Sequence, residues 1–199
     1  MSIKGTCTAA FSHLSVMSPT PRIINLMREM MLNLHIPLEV VHQLYYAESK
    51  LHRGRPEMLV MTMKTTHRNL QLFRGGKIQI LGPISNCDAE HMRGEILARL
   101  RRVPAMETCQ ATPLKITNMV ASLQLPSAIN LHNIKYSNQD VTYEVELFPA
   151  ALIRKWSPAH VALFHNGKMI VTGVRHVDVL KEIFDYTLSF ISEQCLEKK

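Results

Sequence analysis

The chain has 199 residues, of which 46% are hydrophobic and 20% charged, and this balance is typical of a folded globular protein and excludes an intrinsically disordered one. No apolar run is long enough to span a bilayer, which excludes a transmembrane helix. The formal net charge of +7 favours a polyanionic partner.

The excess positive charge lies in the first half of the chain. Residues 1–104 contain 14 Lys and Arg against 7 Asp and Glu, whereas residues 105–199 contain 9 of each. Attraction to a polyanion is therefore expected to come mainly from the first half.

The four cysteines predict neither a disulfide scaffold nor a thiolate zinc site. Cys7, Cys87, Cys109 and Cys195 are far apart in the sequence, and no two of them form a CxxC pair. Since the N-terminus also lacks the apolar segment of a signal peptide, we expect a reducing compartment.

The first half predicts a strand, a short helix, several strands and a long helix. "PRIINLM" (21–27) is a strand pattern, and "PLEVVHQLYY" (37–46) is helical with Pro37 near its start. In "LFRGGKIQILG" (72–82), Gly75 and Gly76 separate two apolar strands and predict a tight type I′ hairpin. Ser85 and Asp88 then have the spacing of a capping-box variant. Apolar residues follow at helical intervals: Ala89, Met92, Ile96, Leu97, Leu100 and Val103.

The second half repeats this order. "LKITNMV" (114–120) corresponds to the first strand, and "INLHNIKY" (129–136) is a weaker match to the short helix. "LFHNGKMIVTG" (163–173) is a second hairpin pattern, with Asn166-Gly167 at its turn. The closing helix has apolar or small residues at helical spacing: Leu180, Ile183, Phe184, Thr187, Leu188 and Ile191.

Period-two alternation divides each hairpin between two faces of a sheet. The face predicted to be buried carries Leu70, Leu72, Ile78 and Ile80 in the first copy and Val161, Leu163, Met169 and Val171 in the second. The opposite face carries Gln71, Phe73, Lys77, Gln79 and Leu81 in the first copy and Ala162, Phe164, Lys168, Ile170 and Thr172 in the second. A face that combines Phe and Lys twice indicates a binding surface; the alternative is that each Phe packs against a neighbouring strand. The predicted fold class is α+β, with helices covering one face of an antiparallel sheet.

Three ordered blocks of the second half carry a family resemblance: "ITNMVAS" (116–122), "YEVELFPAALIRKWSP" (143–158) and "LFHNGKMIVTG". They resemble the second repeat of the TATA-box-binding protein core, and the first half resembles the first repeat in outline. The resemblance implies a saddle in which two pseudo-symmetric repeats, residues 19–104 and 105–199 after a tail over residues 1–18, form one curved antiparallel sheet with helices on the convex face. It also implies a concave face that binds and bends AT-rich promoter DNA through the minor groove.

In the second half the resemblance assigns roles to individual residues. Asn118 corresponds to the central amide that bonds to acceptors on the groove floor, and Phe148 and Phe164 correspond to the pair of intercalating wedges. The other groove-facing or phosphate-contacting positions are Val120, Arg154, Lys168, Ile170 and Thr172. The partner-binding positions, in the segment where the family binds general factor IIB, are Glu144, Glu146 and Leu147.

The first half departs from the family at its DNA-binding positions. Asn25 and Phe73 match, but Pro56 stands in place of the second wedge Phe, with Met58 as a nearby apolar substitute. Small groove-facing residues are replaced by Met27, Gln79 and Leu81. We expect this half to contribute mainly charge, which Lys50, Arg53, Arg55, Arg68, Arg74 and Lys77 supply. "RGRP" (53–56) also resembles an AT-hook core, although a chance occurrence in a basic loop is the favoured interpretation.

No catalytic or cofactor-binding motif is present: HExxH, GxSxG, Walker and GxGxxG patterns are all absent. We expect a protein that is not an enzyme and needs no cofactor or metal, and the family resemblance implies a nuclear general transcription initiation factor. The expected partners are double-stranded AT-rich promoter DNA, general factors of the IIB and IIA type and TBP-associated factors, with no membrane partner and a homodimer in the absence of DNA. The alternative is a TBP-related assembly platform with weak or non-specific DNA binding that acts mainly through protein partners.

Overall fold

A computed structural model describes residues 20–82, 85–133 and 140–194, which form two compact units. The N-terminal unit spans Asn25–Thr117, and the C-terminal unit runs from Asn118 onward and also takes the start of the first strand, up to Ile24. The predicted tail over residues 1–18 lies outside the described residues. The repeat boundary between residues 104 and 105 stays a prediction.

The N-terminal unit is an antiparallel sheet with two α-helices. Its elements in chain order are β1 (Arg22–Met31), α1 (Leu38–Leu44), β2 (Ser49–His52), β3 (Met58–Met63), β4 (Arg68–Phe73), β5 (Lys77–Leu81) and α2 (Asn86–Leu100). Neighbouring strands pair in the order β2-β3-β4-β5-β1. As predicted, α1 begins directly after Pro37, whose missing N–H costs a helix start nothing.

The C-terminal unit follows the same plan with a shorter edge strand. Its elements are β6 (Lys115–Gln124), whose first three residues belong to the N-terminal unit, β7 (Val141–Thr142), β8 (Ala150–Trp156), β9 (Ala159–Phe164), β10 (Lys168–Val174) and α3 (Val177–Gln194). Neighbouring strands pair in the order β6-β10-β9-β8-β7. Where a weak helix was predicted, Leu131–Asn133 forms a 3₁₀ turn, and residues 134–139 lie outside the described residues.

The predicted core face of each sheet is buried. Leu70, Leu72, Ile78 and Ile80 are at most 1% exposed, and Val161, Leu163, Met169 and Val171 are completely buried. In the N-terminal unit these strands and α2 share one apolar cluster. Full burial of such a side chain contributes about 1.5–3 kcal/mol, so this face determines which side of each strand turns inward.

Both long helices bury the predicted stripe, which confirms their periodicity. The buried set is Ala89, Met92, Ile96, Leu97, Leu100 and Val103 after β5, and Leu180, Ile183, Phe184, Thr187, Leu188 and Ile191 after β10. Thr187 is the polar member of the stripe, and its hydroxyl donates to the Ile183 carbonyl at 2.7 Å, so burial leaves it paired. No described helix is both long and apolar enough to cross a membrane.

The predicted cap of α2 is present. Ser85 is the N-cap residue, and its Oγ accepts the Asp88 backbone N–H at 3.0 Å. We expect Ser85→Ala to lower the free energy of unfolding by about 1 kcal/mol, because that N–H loses its acceptor. Urea unfolding followed by circular dichroism measures this, with Ser85→Thr as the control that keeps the hydroxyl. A loss of equal size in the threonine variant would contradict the capping role.

The type I′ turns predicted for the two hairpins are wrong. That turn needs positive φ at both central residues, yet only Gly76 (φ +90°) and Gly167 (φ +78°) have it, and Gly75 and Asn166 do not. The N–H of Gly76 donates to Phe73, and that of Gly167 donates to Phe164, each at 3.0 Å. Each turn is therefore a three-residue loop that ends in a left-handed glycine.

Backbone hydrogen bonds around these turns match between the units. The Gly76 carbonyl accepts the N–H of Leu32 at 2.9 Å, and the Gly167 carbonyl accepts that of Leu125 at 3.0 Å. The Arg74 carbonyl likewise accepts from Ile36, as the His165 carbonyl does from Ile129. The repeat inferred from the sequence therefore extends to the hydrogen bonds of the main chain.

Candidate nucleic-acid interface

The sheet face opposite the core, called here the open face, carries the predicted binding residues of each unit. In the C-terminal unit strand register and burial place Asn118, Val120, Phe164, Lys168, Ile170 and Thr172 on it. Five of these side chains are partly exposed, and Lys168 is exposed. This face is free to contact a ligand.

Phe148 and Phe164 form an aromatic pair at one end of this face. Their ring centroids are 6.1 Å apart at an interplanar angle of 61°, and Phe148 is 43% exposed. Ala150 lies directly opposite Phe164 in the register, and its small side chain leaves room for the second ring. The turn before Phe148 is held by its N–H, which donates to Glu144 at 2.9 Å. Two rings braced against each other in this way can enter a base step as a wedge.

The side chain of Asn118 is oriented by a backbone bond. Its Oδ1 accepts the N–H of Gly173 at 2.9 Å, where a register irregularity between β10 and β6 diverts Gly173 from the strand ladder. Since a backbone N–H can only donate, the partner atom is the amide oxygen and the amide nitrogen is the group that donates outward. Donors are what the acceptors of an A·T minor groove require.

Two basic residues flank the C-terminal open face. Arg154 is exposed and its Nη1 donates to Thr142 Oγ1 at 3.3 Å, while Lys168 is exposed at the start of β10. The predicted partner segment is also accessible: Glu144 and Glu146 are exposed, and Leu147 is 79% exposed in a turn closed by its own N–H on the Glu144 carbonyl. An exposed leucine that follows two nearby carboxylates is suited to contact with a protein partner.

Among the described residues of the N-terminal open face there is no equivalent aromatic pair. Pro56 and Arg55 are exposed in the loop before β3, and Met58, not Pro56, lies directly across from Phe73. Lys77 Nζ stacks on the Phe73 ring at 4.3 Å from its centroid, a cation–π contact. The Phe73 ring therefore has a cation beside it instead of a second ring.

Asn25 is exposed and less fixed than Asn118. The N–H of Gly82, which matches Gly173, donates to the Leu26 carbonyl at 2.9 Å and not to the Asn25 side chain. Met27 and Leu81 face each other across β1 and β5 on the same open face. The N-terminal unit thus keeps the amide side chain at Asn25 but lacks a bond equivalent to the one from Gly173 that orients Asn118.

The expectation that six basic residues supply free charge in the first half is wrong for two of them. Arg74 donates to Glu39 at 2.6 Å and to Glu57 at 2.9 Å, and its hydrogen bond holds the pKa of the Glu39 carboxyl below its usual range. Arg68 lies on the side of β4 that carries Leu70, away from the open face. A further basic residue, Arg28, is buried at 5% exposure with its Nη2 on Asn86 Oδ1 at 2.8 Å. A net charge counted by residue therefore overstates the positive charge that is free to contact a polyanion.

The middle row of the open face differs most between the units. In strand order it is Glu29, Gln79, Gln71, Val60 and Lys50 in the N-terminal unit, and Ser122, Ile170, Ala162, Leu152 and Thr142 in the C-terminal unit. Glu29 was not singled out from the sequence. Its position could have been found, because it follows Asn25 by four residues and alternation places both on one face.

No group of three or more potential metal ligands occurs in the part of the chain that the structure describes. The same residues show an interface of alternating apolar, amide and basic side chains. A surface of this composition is suited to contacting nucleic-acid bases and phosphates.

Comparisons with known proteins agree with this arrangement. The family model "Transcription factor TFIID (or TATA-binding protein, TBP)" matches residues 113–194. The TATA-box-binding protein of Methanothermococcus thermolithotrophicus is 30% identical over 183 residues, which cover 89% of this chain and 97% of the relative. The chain belongs to the TATA-box-binding protein family. The family's transcription factors are non-enzymatic, and the coarse assignment predicted from the sequence, a TATA-box-binding-protein-like transcription factor, is confirmed.

Other members of the TATA-box-binding protein family extend the comparison. The protein of Methanocaldococcus jannaschii is 29% identical over 90% of this chain, and that of Schizosaccharomyces pombe 25% identical over 87%. The solved structure "Methanococcus jannaschii TBP" matches with a TM-score of 0.70 and 26% identity, covering 87% of this chain and 98% of that one. The predicted α+β fold of this family is therefore confirmed.

Proposed function

We propose that this transcription factor binds promoter DNA in the minor groove, bends it, and recruits further initiation factors. The observation that carries the proposal is the exposed Phe148–Phe164 pair at the end of a free sheet face. Unstacking a base step is costly, and two braced rings offset that cost by replacing base–base contacts with ring–base contacts.

The C-terminal unit reads A·T pairs in this proposal. Asn118 presents a donor, and the row around Ile170 and Ala162 is apolar and small enough to approach base edges that carry no protruding amine. Arg154 and Lys168 contact phosphates, which adds affinity without sequence preference. The N-terminal unit contributes Asn25, Met27, Arg55, Pro56, Phe73 and Lys77 with less shape readout.

The partners proposed for the exposed turn at Glu144, Glu146 and Leu147 are factors of the IIB type. Factors of the IIA type and TBP-associated factors are proposed as further protein partners, with a homodimer in the absence of DNA. The nucleus is the proposed compartment, as expected for a factor that acts on chromosomal promoters in a nucleated cell.

A salt-titrated binding assay on TATA, other AT-rich and random duplexes tests the proposal. We expect strong binding that weakens steeply with salt, each phosphate contact adding about 0.9 to the log–log slope, and a narrow margin between TATA and other AT-rich duplexes. Base substitutions should be most harmful in the half-site under Asn118 and Ile170. Equal penalties in both half-sites with a shallow slope would contradict this asymmetry, and no binding to any duplex would favour the assembly platform.

A further inference from the structure

The middle row of the N-terminal open face is unusual for a surface that contacts A·T pairs. It carries one carboxylate and two amides, Glu29, Gln79 and Gln71, at the positions where the C-terminal row has Ser122, Ile170 and Ala162. An A·T pair presents only acceptors to the minor groove, adenine N3 and thymine O2. A carboxylate is also only an acceptor, so Glu29 and an A·T floor repel each other.

A G·C pair changes this balance, because guanine adds its N2 amine, the donor that the minor groove otherwise lacks. A carboxylate oxygen accepts that hydrogen with charge assistance. In the C-terminal row Ile170 and Ala162 offer this amine no acceptor, and Ser122 offers only a neutral hydroxyl oxygen, without charge assistance. The two rows are therefore suited to different base pairs.

The contacts of Glu29 hold its carboxylate in place without using up its acceptor capacity. Oε2 accepts from Gln79 Nε2 at 3.3 Å, and Oε1 lies 3.8 Å from Lys115 Nζ. Two oxygens offer about four lone-pair sites, so further donors can still be accepted. The side chain keeps 16% of its surface exposed. The Lys115 ammonium offsets part of the repulsion between this carboxylate and DNA phosphates.

We propose that Glu29, positioned by Gln79, is a specificity-determining residue that makes the N-terminal unit prefer a G·C base pair through the guanine N2 amine. This inference rests on the proposed minor-groove function and refines it. The protein then reads a composite site, A·T-rich under the C-terminal unit and containing G·C under the N-terminal unit.

The test compares A·T, G·C and inosine·C at each position of both half-sites, with the full chain as the protein. Inosine lacks only the N2 amine of guanine, so the comparison isolates the minor-groove donor. We expect G·C to bind roughly five- to tenfold more tightly than inosine·C at one or two positions of one half-site. In the other half-site we expect G·C to bind more weakly than inosine·C.

Variants assign the effect to the residue. Glu29→Leu should remove the preference for G·C over inosine·C, and Glu29→Gln should keep part of it because an amide oxygen still accepts. Glu107→Gln removes the same charge from an exposed turn outside the open face and should leave the ratio unchanged.

The outcomes separate this inference from the function on which it rests. Equal binding of G·C and inosine·C at every position, or a preference that survives in Glu29→Leu, overturns the role of Glu29 while the proposed function stands. Failure of the wild-type chain to bind any duplex overturns both. The wild-type comparison needs no variant to fold, so the inference stays falsifiable if Glu29→Leu is unstable.

Discussion

Replacing both Phe148 and Phe164 with Ala is expected to abolish DNA bending. The two rings lie 6.1 Å apart on an open sheet end, and stacking typically contributes about 1–3 kcal/mol per base, which is roughly five- to 150-fold in affinity for each ring. Pro56→Ala should have a much smaller effect, because Pro56 lies in an exposed loop and Met58 is the residue opposite Phe73. Fluorescence energy transfer across an end-labelled duplex measures the bend.

Tyr46→Ala is the matched control for that experiment. Tyr46 is an aromatic residue of 74% exposure that lies next to α1, outside the open face. Its removal should leave bending intact. Equal losses from the two Phe substitutions and from Pro56→Ala would show that both units insert equally and that the asymmetry is wrong.

Gly76→Ala is expected to destabilise the protein by about 2–4 kcal/mol, because a β-carbon there is strained in two ways. Gly76 has a φ of +90°, and an added Cβ would lie 2.8 Å from the Leu34 carbonyl oxygen and 2.9 Å from that of Leu32. Both neighbours are backbone atoms of the chain that the turn must approach, so neither can rotate away. Chemical unfolding measured by tryptophan fluorescence and by circular dichroism gives the change in free energy.

The adjacent glycine supplies the control for this substitution. A Cβ on Gly75 meets nothing within 4 Å, and its φ is not positive. Gly75→Ala should therefore change stability by less than about 0.5 kcal/mol. Similar losses in the two variants would mean that flexibility of the turn, and not the left-handed residue with its close approach, explains the need for glycine.

The sequence predicted the repeat and its buried faces because those depend on local patterns. Period-two alternation gives the strands around Leu70 and Val161 one apolar face, and helical spacing gives the helices around Met92 and Phe184 one apolar stripe. Burial of apolar surface is the largest favourable contribution to folding at those positions. The turn type was not predictable from Gly75-Gly76, since glycine admits several turns and the approach of Leu32 selects among them.

Charge on the candidate site was less predictable, because it depends on contacts far apart in sequence. Arg74 is paired with Glu39 and Glu57, which lie 35 and 17 residues away along the chain. Arg28 is drawn into the core side of β1 and meets Asn86, 58 residues away. A count of Lys and Arg does not show which of them are already paired or buried. The proposed wedge residues Phe148 and Phe164 could be found from the sequence because a family motif contains both.

The matched backbone hydrogen bonds of the two hairpins have a consequence for how such a duplicated protein can evolve. The N–H of Ile36 donates to the carbonyl of Arg74, and the N–H of Ile129 donates to the carbonyl of His165. Both bonds join main-chain atoms, so the same bond occurs in both units although the accepting residue is Arg in one and His in the other. Side chains near these turns are therefore expected to change with little effect on the main-chain bonds. In a protein of this kind one repeat can acquire a new base-pair preference while the other repeat keeps the original one. Residues at matched positions of the two repeats can then be exchanged by mutation.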